Sequence, residues 1–123
     1  MSDEYWTSKV TRIGPHTQEM FDAGVYILFA EPVPDALAEI SVVHAGQSGD
    51  PEVRVGDEFR LGDVVMRIDE VGEIANKNLA ELGHSVVYLN MPKQKLLPGA
   101  MKATGDSFPH PQVGDSVAFG RGA

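Results

Sequence analysis

The chain has 123 residues, 42% of them hydrophobic and 23% charged, which fits a folded single domain spanning residues 1–123. Its formal net charge of −8, without a basic patch, argues against nucleic acid binding and direct membrane insertion. The lack of cysteine excludes disulfides and thiolate sites, and a polar, acidic N-terminal segment without an apolar run of ~20 residues predicts a cytoplasmic protein.

Short β-type segments separated by turn signals recur along the chain. The predicted strands lie at 9–13, 25–29, 40–44, 55–61, 64–71, 85–89 and 117–119. The Gly62-Asp63 pair predicts a hairpin turn, and a single helix is predicted over 74–82 because Gly83 follows at a C-terminal stop position. The sequence therefore predicts an all-β, barrel-like sheet of about seven short strands with one short helix.

Two segments of the chain share the pattern V-G-D-x-apolar-x-apolar-G, one at 55–62 and the other at 113–120. We interpret them as two strands that enter the sheet through the same type of turn, in which glycine supplies the unusual dihedral angles and aspartate a local hydrogen bond. An internal duplication is the alternative interpretation. Neither interpretation predicts chemistry.

The common phosphate-loop, dinucleotide, zinc-hydrolase and serine-hydrolase motifs are absent, which leaves the histidines as candidates for chemistry. His44 ends an apolar run and precedes the glycine-rich segment 45–49. There Gly46 and Gly49 would let backbone N–H groups approach an anion, with Gln47 and Ser48 as side-chain donors. Neutral imidazole is a suitable nucleophile at pH 7, so the pattern favours a phosphoryl site. A histidine that only ends a strand is the alternative.

The three other histidines are expected to have structural or loop roles. His84 follows the predicted end of the helix, where an imidazolium would lie near helix carbonyls. His16 and His110 lie in proline-containing segments typical of exposed loops. No i, i+2 or i, i+4 spacing of histidines supports a metal site, so we predict none.

Several pieces of the sequence, taken together and in order, resemble a known family. They are Val10-Thr11-Arg12-Ile13-Gly14, His44, the segment from Val55-Gly56-Asp57 to Leu61-Gly62, Val71-Gly72, Asn78-Leu79-Ala80-Glu81-Leu82-Gly83-His84 and Pro98-Gly99. The chain resembles the glucitol/sorbitol-specific IIA proteins of the phosphoenolpyruvate-dependent sugar phosphotransferase system. The resemblance extends from about Val10 to Phe119 and is most specific at 78–84.

The resemblance implies a phosphoryl carrier with an all-β, barrel-like fold. Such a carrier accepts a phosphoryl group from the phosphohistidine of the small carrier HPr and passes it to a cysteine of the IIB domain. His44 falls on the position that carries the phosphoryl group in the family. From their positions in the sequence, we expect Gly46, Gln47, Ser48, Gly49 and His84 to support that group. Gly46 stands where some relatives have a second histidine. Neither a metal nor another cofactor is implied, and a homo-oligomer stays open.

A non-catalytic regulatory or binding barrel of the same fold is the alternative function. An imidazole of His44 that projects into solvent beside the glycine-rich loop would favour the carrier. A buried, fully hydrogen-bonded imidazole would favour the alternative. The acidic net charge predicts that the pKa of His44 is raised slightly.

Overall fold

The computed structural model describes residues 3–46 and 48–122, and within them the chain forms nine β-strands and three short helices. The strands are β1 (Glu4–Ile13), β2 (Val25–Ala30), β3 (Val42–His44), β4 (Ser48–Gly49), β5 (Glu58–Leu61), β6 (Val64–Val71), β7 (Ser85–Leu89), β8 (Ala100–Thr104) and β9 (Ser116–Gly120). The helices are α1 (Gln18–Ala23), α2 (Asp35–Ala38) and α3 (Ala75–Leu82).

Eight of the strands close into a barrel in the order β1-β3-β2-β7-β8-β6-β5-β9, and the two-residue β4 adds to β1. Most neighbours are antiparallel, but β2 with β3 and β7 with β8 are parallel pairs. The long first strand closes the barrel, because it pairs with β9 along one edge and with β3 along the other. The predicted all-β barrel is confirmed.

The number of elements differs from the prediction of seven strands and one helix. Strand β8 has no alternating pattern because its first four residues are all buried, and β4 lies within the segment interpreted as a loop. Helices α1 and α2 have six and four residues, too few for a recognisable apolar period. The predicted helix near 74–82 and the Gly62-Asp63 hairpin turn are confirmed.

The barrel interior is filled by large side chains that alternate inward from the strands. Trp6, Tyr26, Phe59 and Phe119 are fully buried there, and the rings of Phe59 and Phe119 stack with centroids 4.9 Å apart. Helix α3 is too short to be stable alone and packs against this core through its buried Ala75 and Leu79. Its end at Gly83 is thereby fixed relative to β3.

The two V-G-D segments form the same turn, as predicted. In each, the aspartate carboxylate accepts a hydrogen bond from the backbone N–H three residues earlier, at 3.0 Å from Arg54 to Asp57 and 2.8 Å from Gln112 to Asp115. The glycine before each aspartate has a left-handed φ, +94° and +97° respectively. The turns lead into β5 and β9, which pair antiparallel.

The carboxylate of Asp57 also makes hydrogen bonds outside its turn, unlike that of Asp115. The nearly buried Asp57 carboxylate accepts hydrogen bonds from the Tyr5 hydroxyl at 2.7 Å, Arg121 Nη1 at 3.0 Å and the Gly122 N–H at 3.3 Å. Burial alone would raise the pKa of Asp57, but these donors and the Arg121 charge lower it below its usual range. The carboxylate therefore ties the start of β1 to the segment after β9.

Replacing this carboxylate is expected to destabilise the fold more than the same change in the matching turn. We expect Asp57→Ala to lower the free energy of unfolding by about 3 kcal/mol, because it leaves several donors unpaired. Asp115→Ala, which removes one turn bond, should cost about 0.5 to 1.5 kcal/mol. Urea unfolding of both variants measures the difference, and equal losses would contradict the role of Asp57.

Candidate functional site

His44 lies at the end of β3 and is completely buried. Strand β3 has a neighbour on each side, since His44 pairs with Val10 of β1 and with Ala30 of β2. The edge of the Trp6 ring packs against the imidazole with centroids 5.5 Å apart. The imidazole therefore does not project into solvent, because the barrel closes around the strand end.

Both ring nitrogens of His44 have hydrogen-bond partners. Nε2 lies 2.8 Å from the carbonyl oxygen of Gly83, which can only accept, so Nε2 carries a proton in this contact. Nδ1 lies 2.7 Å from the hydroxyl of Ser8 on β1, and that hydroxyl also lies 2.8 Å from the carbonyl oxygen of Gly46. The ring is held by β1, by the loop after β3 and by the end of α3.

Burial sets the protonation of this imidazole. It lowers the pKa of His44, and the hydrogen bond to the Gly83 carbonyl only partly opposes that shift. The predicted increase of the pKa is therefore wrong, because removing the ring from water outweighs the acidic net charge of the chain. The neutral ring, with one unprotonated nitrogen, is favoured at pH 7.

A surface cleft of about 330 Å³ lies next to the buried imidazole. Its lining includes Gly46 and Gly83, the apolar side chains Phe29, Pro32 and Leu82, and the carboxylates Glu31 and Glu81. A side chain at Gly83 would come within 2.7 Å of His44 Cε1 and 2.9 Å of Nε2. The backbone of Gly83 therefore lies between the cleft and the Nε2 edge of the ring.

The loop after β3 is only partly the predicted anion seat. Gly46 has a φ of +114° and contributes its carbonyl oxygen, rather than an N–H, to the contact with Ser8. Gly49 is paired with Trp6 in β4 and approaches the backbone of Tyr5 too closely for a side chain. Gln47 and the side chain of Ser48 lie outside the described residues. The donation of loop N–H groups to an anion stays a prediction.

His84 follows the end of α3 and contacts Phe29, one of the residues that line the cleft. Its ring stacks on Phe29 with centroids 4.9 Å apart, and its buried Nδ1 has no hydrogen-bond partner among the residues described. Burial lowers the pKa of His84, so the expected imidazolium at the helix end is wrong and the neutral ring is favoured. Its part in supporting a phosphoryl group stays a prediction.

The remaining histidines lie away from this site. His16 and His110 are both exposed, as predicted, and His110 Nε2 is 3.1 Å from a carboxylate oxygen of Asp22. Within residues 3–46 and 48–122 no group of three or more histidine, aspartate or glutamate side chains is arranged to hold a metal ion. Over the same ranges no helix has the length and apolar character needed to cross a membrane.

The lowered pKa values of His44 and His84 predict that stability depends on pH. An unfolded histidine titrates near 6.5, so below that pH the unfolded chain binds more protons than the folded one. The free energy of unfolding should be highest above pH 6.5 and fall on acidification, by at most about 1.4 kcal/mol per pH unit for each group.

Urea unfolding between pH 5 and 8 measures this slope. The double variant His44→Gln/His84→Gln should flatten it, whereas His16→Gln at an exposed position should leave it unchanged. An unaltered slope in the double variant would contradict the lowered pKa values.

Sequence comparison shows the family to which the chain belongs. Residues 5–118 match the family model described as "PTS system glucitol/sorbitol-specific IIA component", where PTS is the phosphotransferase system. The chain belongs to this family. Glucitol/sorbitol-specific EIIA components of Shigella flexneri and Escherichia coli K12 are each 27% identical to it over 100 residues, which cover 81% of both chains compared.

The fold of this IIA component also has a solved counterpart. It is similar to the crystal structure of a PTS system IIA component from Enterococcus faecalis V583, with a TM-score of 0.76 and 25% sequence identity. The match covers 90% of this chain and 96% of that one.

The most specific part of the family resemblance, residues 78–84, has a clear structural purpose in this IIA component. Leu79 anchors α3 in the core, and the Asn78 carbonyl accepts hydrogen bonds that end the helix, including one of 3.3 Å from the His84 N–H. Gly83 then turns left-handed, with a φ of +61°, and places its carbonyl on His44. The motif thus forms the helix end that packs on the buried imidazole.

Two residues of the site, Ser8 and the carbonyl of Gly83, were not predicted from the sequence as partners of His44. Ser8 is one of several hydroxyl residues at the start of the chain, and nothing in its neighbours distinguishes it. The Gly83-His84 pair did carry a signal, as part of the family resemblance. Only the closed barrel shows that both meet the imidazole.

Proposed function

We propose that this protein is a cytoplasmic phosphoryl carrier that supports uptake and phosphorylation of sorbitol. In this proposal His44 accepts a phosphoryl group from phospho-HPr and passes it to the IIB domain. The observation that carries the proposal is that the chain belongs to the IIA family, with the neutral imidazole of His44 next to a surface cleft.

The chemistry needs a lone pair and a fixed position. The donor's nitrogen–phosphorus bond breaks with its electron pair left on the donor ring, while an unprotonated nitrogen of His44 forms the new bond to phosphorus. No metal or nucleotide takes part in this step, because phosphohistidine is itself an activated donor. Attack through Nδ1, the unprotonated nitrogen at rest, replaces the hydrogen bond with Ser8, whereas attack through Nε2 replaces the bond to Gly83 and requires the ring proton to move to Nδ1.

The cleft suits a protein partner with basic and apolar residues. Leu82 is 49% exposed beside the half-buried Phe29, and the carboxylates of Glu31 and Glu81 line the same cleft. Exposed apolar groups together with acidic groups favour fast, weak association with a partner surface that is apolar and positively charged. This is the property expected of a carrier that must meet both HPr and IIB.

One observation favours a second candidate function. His44 is fully buried with both nitrogens hydrogen-bonded, which is the arrangement of a structural histidine. In that case the protein is a non-catalytic regulatory or binding barrel, and the ring only joins β1, β3 and the end of α3.

Labelling separates the two functions. The protein is incubated with enzyme I, HPr and phosphoenolpyruvate labelled at phosphorus, and we expect label on the protein that is acid-labile and stable in alkali. Adding the IIB component should then remove it. Full labelling of HPr without transfer to this protein would reject the carrier and leave the second candidate.

A further inference from the structure

The hydroxyl of Ser8 lies between two hydrogen-bonding groups, an imidazole nitrogen and a backbone carbonyl. Its hydroxyl oxygen lies 2.7 Å from His44 Nδ1 and 2.8 Å from the carbonyl oxygen of Gly46. A carbonyl only accepts, whereas an imidazole nitrogen accepts when bare and donates when protonated. The single hydroxyl proton of Ser8 can serve one of these partners at a time.

The two possible directions of the hydroxyl match the two charge states of the ring. When His44 is neutral, Nε2–H donates to Gly83, and Ser8 donates its proton to the bare Nδ1. When the ring is protonated, Nδ1–H donates to the Ser8 oxygen, and Ser8 turns its proton to Gly46. Both nitrogens stay hydrogen-bonded in both states without movement of any heavy atom.

We propose that Ser8 is the positioning residue that keeps the buried His44 ring hydrogen-bonded at both nitrogens in its neutral and its protonated form. The inference rests on the proposed carrier function, since a phosphoryl carrier passes through forms in which its imidazole gains positive charge. A buried polar group without a partner is costly, and more so when it is charged. Rotation of one hydroxyl avoids that cost in either state.

The charged and titratable groups around the site do not form the hydrogen bond that Ser8 makes with His44 Nδ1. Lys9 adjoins Ser8 on β1, Glu31 follows β2, Glu81 belongs to α3, and His84 follows the helix end. Among the described residues the ring of His44 hydrogen-bonds only to Ser8 and Gly83. Ser8 is therefore the only one of these groups placed to respond at Nδ1.

Titration of His44 by NMR tests the inference on the unphosphorylated protein. A hydrogen bond to a charged group is about twice as strong as a neutral one, so Ser8→Ala should cost the protonated ring more. We expect the pKa of His44 to fall by about one unit in Ser8→Ala and by less in Ser8→Cys, whose thiol bonds weakly. Ser8→Thr, which keeps the hydroxyl, should restore the wild-type titration.

Thr11→Ala is the matched control, because Thr11 is on the same strand and its hydroxyl also donates to a backbone carbonyl, that of Val43 on β3 at 3.4 Å. It should leave the titration of His44 unchanged. The acid limb of the pH dependence of phosphoryl uptake should move with the NMR titration in every variant. Ser8→Cys keeps the test available if the alanine variant does not fold.

An unchanged or raised pKa of His44 in Ser8→Ala and Ser8→Cys would overturn the inference. A decrease of the His44 pKa in Ser8→Thr as large as that in Ser8→Ala would also overturn it. These results do not depend on phosphorylation, so they are separate from a failure of the proposed function. A wild-type protein that takes no label but shows the expected titrations would reject the carrier and keep the role of Ser8.

Discussion

His44→Gln is expected to reduce phosphoryl uptake from phospho-HPr to background. Glutamine can keep the hydrogen bond to the Gly83 carbonyl through its amide nitrogen, but an amide nitrogen has no lone pair available for attack on phosphorus. The loss should therefore appear without a large change in structure. Labelling by enzyme I, HPr and phosphoenolpyruvate, with circular dichroism as a check of folding, measures both.

The control for this experiment is His16→Gln at an exposed histidine, which should label like the wild type. His44→Ala is a less suitable variant than it would be for an exposed residue. Because the ring is fully buried, its removal should also lower the free energy of unfolding by about 2 to 4 kcal/mol. Labelling of His44→Gln at the wild-type level would move the phosphoryl site elsewhere in the protein.

Gly83→Ala is expected to lower the stability of the protein strongly. A side-chain carbon there would collide with Ala30 Cβ and come within 2.9 Å of His44 Nε2, on a backbone already at a φ of +61°. Overpacking and backbone strain together should lower the free energy of unfolding by about 3 kcal/mol or more. The displaced imidazole should also take up phosphoryl groups poorly.

Gly56→Ala separates these two causes. Gly56 has a φ of +94° but no atom within 4 Å of the added carbon, so it reports backbone strain alone, about 1 kcal/mol. Urea unfolding compares the two variants, and the excess loss at Gly83 measures its close contact with β2 and His44. Equal losses would contradict the close packing of Gly83 on the imidazole.

Several features of the fold could be predicted because they depend on local sequence. The hairpin at Gly62-Asp63, the helix that stops before Gly83 and the shared V-G-D turn are all formed by neighbouring residues. Strand β8 could not be predicted in this way. Lys102 interrupts the apolar run of this strand and so hides the pattern of a buried strand. Its side chain is nevertheless buried, because the ammonium group donates a hydrogen bond to the Pro92 carbonyl at 2.9 Å.

The candidate site shows the same division. The place of His44 at the end of a strand follows from the apolar run before it, so it was predictable. Its burial and its partner Ser8 were not, because they depend on pairing between strands far apart in the chain. The wrong sign of its pKa shift has the same origin, since net charge is visible in a sequence and desolvation is not.

The pairing of β1 with β9 has a consequence for synthesis of the protein. Strands β1 and β5 are both synthesised before β9, with which each of them pairs. Until residues 116–120 emerge, both strands present an open hydrogen-bonding edge on which nascent chains could associate. The barrel can therefore close only after residues 116–120 have emerged, and its folding rate should be limited by this long-range encounter.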